Sequence, residues 1–152
     1  MMYLFVVEDV YDKEILAGYM DIRCRAAEAI KALEEAIKKR FGDRLPEGLS
    51  LTLRVDRGCQ FTAEDFETFA KSQGIDLEFC GIQTPNDKPY IESFFGCYKR
   101  EEVYRNVYED FFQAYEGWEG FRKWYDELRP HGTLKDMTPK AFRESKLSTV
   151  LT

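Results

Sequence analysis

The chain has 152 residues, 44% of them hydrophobic and 15% aromatic, which suits one packed domain and excludes a disordered segment. Its formal charge of −6 is the wrong sign for a protein that lives on phosphates. A nucleic-acid partner would need basic parts outside this chain.

No apolar run approaches the roughly 20 residues that cross a bilayer, and the N-terminus has no basic leader followed by a cleavage site. The expectation is a cytoplasmic protein with no membrane partner, in which Cys24, Cys59, Cys80 and Cys97 are reduced thiols. Their wide spacing, with His131 the single histidine, argues against structural zinc.

Tyr3 to Val7 is a short apolar run rich in β-branched and aromatic residues, and it reads as a buried strand. A polar turn and a second strand, Ile15 to Ile22, complete an antiparallel hairpin. From Ala26 to Arg40 the period becomes helical: Ile30, Leu33, Ile37 and Phe41 share a face, and Gly42 marks the stop. Leu49 to Val55 reads as a strand of the buried type, broken by Asp56-Arg57-Gly58. Thr62, with Asp65 three residues on, signals a helix that buries Phe66, Phe69 and Ala70 and ends at Gly74.

Ile75, Leu77 and Phe79 alternate with acids as a half-buried strand. Residues 84–89 are loop chemistry, followed by a helix near Tyr90 that carries Phe94, Phe95 and Tyr98. A second helix, from about Tyr108 to Leu128, is aromatic inside and acidic outside. The tail from Arg129 reads as irregular, with a short helix after Pro139. The order ββαβαβαα gives an α/β domain with a mixed sheet and helices on its faces.

Asp56 closes a buried strand, where open α/β sheets place ligands, and Gly58 would admit a sharp turn or a phosphate backbone. Glu92 lies one turn into a helix that follows a loop. Carboxylates on two such elements can converge on divalent cations. Taken singly, they also read as a turn aspartate and a surface glutamate.

In their local contexts they resemble a known family. Val55-Asp56-Arg57-Gly58-Cys59-Gln60-Phe61-Thr62 is similar to the second-aspartate motif of bacterial insertion-sequence transposases. Residues 84–95, Thr-Pro-Asn-Asp-Lys-Pro-Tyr-Ile-Glu-Ser-Phe-Phe, resemble their glutamate motif, and 35 residues separate Asp56 from Glu92. That is the spacing of the DD(35)E family, which includes retroviral integrases. Tyr125-Asp126-Glu127-Leu128-Arg129-Pro130-His131 is similar to its C-terminal signature, and Lys99 matches a basic position seven after the glutamate.

The resemblance implies a ribonuclease-H-like core over residues 1–142 with a tail at 143–152. It further implies DNA strand transfer in the nucleoid with Mg²⁺ or Mn²⁺, Asp56 and Glu92 holding the metals. Lys99 would sit on a phosphate, with Gln60, Asn86 and Lys88 near DNA; the last three read equally as turn and loop chemistry. Family members carry asparagine where this chain has Lys88 and serine where it has Cys59, and Cys59 reads as a packed small residue. His131 reads as a packing or hydrogen-bonding residue.

The family's fold also begins with a strand that bears a first catalytic aspartate, and this chain starts at the strand after it. Asp9 is the nearest stand-in as a metal ligand, although it matches a non-catalytic position. Without that strand the sheet would have two unpaired edges, met by a rearranged sheet or by pairing with another copy in a homo-oligomer. The expectation is therefore a strand-transfer core that is impaired or inactive alone. A non-catalytic self-association module built on the acidic helix is the alternative.

Overall fold

A computed structural model describes residues 1–80 and 89–151. The chain divides into two compact units, Met1–Val7 with Leu16–Pro89, and Glu8–Ile15 with Tyr90–Thr152.

Strands β1 (Tyr3–Glu8) and β2 (Ile15–Asp21) pair with each other. The connection between them is too short for a parallel crossover, so they form a hairpin. Strands β3 (Leu51–Val55) and β4 (Ile75–Phe79) pair in parallel, Leu51 opposite Ile75 and Val55 opposite Phe79. Among the described residues these are two separate two-stranded sheets. A continuous mixed sheet is not formed. Each of these strands has, among the described residues, one hydrogen-bonded strand neighbour.

Helix α1 (Ala26–Phe41) buries Ala29, Ala32, Leu33, Ala36 and Ile37. Gly42, at φ 81°, ends it and donates to the Lys38 carbonyl. Phe5, Leu33, Ile37, Val55, Phe66, Ala70 and Ile75 belong to one apolar cluster that forms this unit's core. Strand β3 is half-buried and not fully buried: Leu51, Leu53 and Val55 face inward while Thr52 and Arg54 are exposed. One face of a two-stranded ribbon stays in water, and there Arg54 pairs with Glu78 at 3.3 Å.

Two helices replace the single one expected between β3 and β4. A one-turn α2 (Cys59–Thr62) precedes α3 (Glu64–Ser72), whose N-cap is Ala63, so the Thr62 signal misplaced the start. Gly74, at φ 76°, closes α3 before β4.

The second unit is built on α4 (Pro89–Glu101), α5 (Phe111–Glu127) and α6 (Pro139–Leu151). Its core is aromatic. Phe94 meets Trp118, Phe121 and Tyr125 edge-on, with centroids 6.0, 6.0 and 5.1 Å away. Helix α5 starts later than the periodicity suggested because Asp110 caps it, accepting from the Gln113 amide at 2.9 Å. The helix expected after Pro139 is present as α6, and it is longer than the short one expected, running beyond residue 142. Residues 8–15 are held in this unit by Asp126, which accepts from the Ile15 amide at 3.1 Å, and by Arg122, which donates to the Ile15 carbonyl.

Candidate active site

Asp56 stands immediately after β3, where the Cys80 amide donates to the Val55 carbonyl and Arg57 Nε donates to the Cys80 carbonyl. These bonds tie together the C-terminal ends of the parallel pair. The Asp56 carboxylate then turns the chain: its Oδ1 accepts from the Gly58 amide at 2.7 Å. A Cβ at residue 58 would lie 2.8 Å from Asp56 Oδ1 and 2.7 Å from Gln60 Nε2, so a larger residue there would displace those side-chain ends. The glycine thus lets the Gln60 amide close over the turn beside Asp56. Phe61 and Thr62 donate back to the Gly58 carbonyl and wind the residues after it into α2. Asp56, half-exposed, and Gln60 are brought together by this local chemistry.

Cys24 belongs to the same neighbourhood. Burial raises its thiol, and Cys59, Glu28 and Asp56 add to the rise. Cys59 itself is exposed at the start of α2. The expectation of a packed cysteine is corrected there: the short helix turns that side chain outward.

Glu92 and Lys99 both lie on α4, in its first and last turns, and both are exposed. Seven residues apart, they share a helical face about 10 Å apart along the axis. Asn86 and Lys88 lie outside the described residues. Asp9 is occupied as a turn residue, its Oδ1 accepting from the Tyr11 amide at 2.8 Å and the Asp12 amide at 3.4 Å. Asp56 belongs to the first unit, while Asp9, Glu92 and Lys99 belong to the second.

His131 is buried, edge-on to Tyr125 at 4.6 Å, with Arg129 Nη1 at 3.1 Å from its Nδ1. Burial, with Arg129 adding, lowers it to about 4. It is a neutral packing residue at ordinary pH.

Sequence reasoning missed Glu8. Its carboxyl lies at the end of β1, and burial lifts it to about 8. Lys13 opposes that rise, while Asp126, Asp9 and Asp12 reinforce it. An acid ending an otherwise apolar strand is the signal that could have found it.

Oxygen donors such as Asp56 and Glu92 suit a hard dication. Their number falls short: among the described residues no group of three or more His, Cys, Asp or Glu side chains is placed to hold a metal ion.

Comparison with known proteins supplies the family. Two models described as integrase core domain match, one over residues 1–85 and one over 73–139. A protein of insertion element IS136 from Agrobacterium fabrum is 26% identical over 146 residues, covering 94% of this chain and 74% of its own length. The transposase of insertion sequence element IS904 from Lactococcus lactis is 24% identical over 144 residues, 94% of this chain and 55% of that protein.

Among solved structures, the catalytic core domain of BIV integrase matches 98% of this chain and 90% of its own at 16% identity, TM-score 0.71. The HTLV-2 integrase catalytic core domain, solved in complex with magnesium in a dimeric form, matches 90% of this chain and 80% of its own at 17% identity, TM-score 0.66. The fold is thus the ribonuclease-H-like one of integrase catalytic cores, and the chain belongs to the integrase core domain family.

Proposed function

We propose that this chain supplies the Asp56 and Glu92 carboxylates of a divalent-metal-dependent DNA strand-transfer site, and that alone it is impaired in that reaction. The observation that carries the proposal is Asp56, fixed by its own turn at the ends of β3 and β4 with Gln60 beside it. Mg²⁺ or Mn²⁺ is the cation that such oxygen donors select. The impairment follows from the donor count, since two carboxylates cannot hold two hydrated dications tightly.

Lys99, exposed on the face of α4 that bears Glu92, would contact a DNA phosphate, with Gln60 near the scissile strand. Asn86 and Lys88 are assigned to the DNA side on the motif alone. The core would span residues 1–142 and act in the bacterial nucleoid as a homo-oligomer; the HTLV-2 integrase catalytic core domain has been solved in a dimeric and a trimeric form. A non-catalytic self-association module is the second reading, since the net charge of −6 disfavours binding to DNA phosphates.

Calorimetric titration of Mn²⁺ tests the proposal, with wild type beside Asp56→Asn and Glu92→Gln. Weak binding, with Kd roughly 10⁻⁴ to 10⁻³ M, lost in both variants, is the expected result. Binding that both variants retain would sink it, and a wild type that binds nothing would favour the module.

A further inference from the structure

The connection from α4 to α5 and the middle of α5 form an open groove of about 320 Å³, lined by Glu101, Glu102, Arg105, Gly120, Phe121 and Trp124. All six residues lie in the second unit. Half-buried Trp124 supplies the aromatic surface, with the buried ring of Phe121 behind it at 5.6 Å between centroids. The groove is open at Gly120, where an added Cβ would meet nothing within 4 Å. Two carboxylates stand on the wall. Glu102 accepts from the Tyr108 hydroxyl, and Glu101 pairs with the exposed guanidinium of Arg105 at 3.0 Å. A guanidinium from this chain is therefore already seated at the groove's edge.

The same stretch exposes large apolar side chains: Tyr104 at 75%, Val107 at 93% and Phe112 at 74%. From Glu101 to Glu119 the sequence holds six acids against the single base Arg105. An apolar surface with an acidic rim repels DNA phosphates, and it equally repels an identical surface on a second copy.

We propose that this groove docks a lysine- or arginine-rich segment of a partner polypeptide. One basic side chain enters beside Gly120 and lays its methylene stem along Trp124. Its charge is then held by the indole face and the Glu101 and Glu102 carboxylates. Apolar residues of the same segment cover Val107 and Phe112. None of the residues that line it is Asp56, Glu92 or Lys99, so its failure and failure of the strand-transfer proposal are distinguishable.

The test is fluorescence anisotropy of a labelled amphipathic peptide of lysine, arginine and leucine, beside a glutamate–leucine peptide of the same pattern. The basic peptide should bind and the acidic one should not. Gly120→Leu is the decisive variant: it leaves the charge unchanged, favours the helix and fills the groove. It should weaken binding about tenfold, while Gly120→Ala changes it little and Glu101→Lys weakens it by a similar factor. Equal binding of both peptides, or binding unaffected by Gly120→Leu, overturns the proposal. Self-association of the free chain that Phe112→Ser abolishes would assign the surface to a second copy and overturn it as well.

Discussion

Two buried groups of the second unit are held against their ordinary charge states, and they pull stability in opposite directions. Between about pH 4.5 and 8 the folded chain keeps a proton on Glu8 that the unfolded chain has released, so stability falls as pH rises. Between about pH 4 and 6.5 the unfolded chain protonates His131 first, so stability falls as pH drops. The slopes oppose each other up to about 6.5, and above it Glu8 acts alone. Thermal denaturation should show wild-type stability declining between pH 6.5 and 8, by on the order of 2 kcal/mol. Glu8→Gln should remove most of the decline, and a wild-type melting temperature level across that range would contradict this account. The turn at Asp56 was legible because its chemistry is local: an aspartate, a glycine two residues on and a glutamine two further make a turn whatever surrounds them. Glu8 was not legible, because its burial depends on α5 and on the turn folding over it.

Among the elements, helix ends were read well where glycine stops them, at Gly42 and Gly74, since a positive φ is a property of one residue. Starts were read poorly. Thr62 offered a capping signal, but the Gly58 carbonyl already accepts its amide and its hydroxyl, and that draws it into α2. Strand β3 was taken as buried on both faces because threonine and arginine are few; its partner Glu78 shows that one face is wet. For α5 the cap is real, Asp110 closing the first turn through Gln113. Asp110→Ala should therefore cost about 1 kcal/mol in urea denaturation, and Asp110→Ser should restore most of it. Loss of nothing in the alanine variant would show that aromatic packing alone fixes the start of α5.

On the scale of the whole chain, local pattern cannot say how sheets join. The element order was largely readable, yet a mixed sheet was expected and two ribbons are observed. The physical reason is that pairing between distant strands depends on which backbone edges meet, and no residue type encodes that alone. Strand edges with a neighbour on one side only favour pairing with another chain. Sedimentation velocity should accordingly show a species larger than the monomer that grows with protein concentration, and a monomer at every concentration would rule out edge pairing. Raising the salt should strengthen such association, since it screens the self-repulsion of a chain of charge −6.

The aromatic core of the second unit has a spectroscopic corollary. Trp118 and Trp124, the two tryptophans of the chain, both fall in the unit of Tyr90–Thr152, whereas the unit holding Asp56 carries Tyr3 and Tyr19 as its phenols. Indole emission therefore follows one unit and is silent about the other. A melt recorded by tryptophan fluorescence would register the loss of α5 while the turn that presents Asp56 came apart unseen.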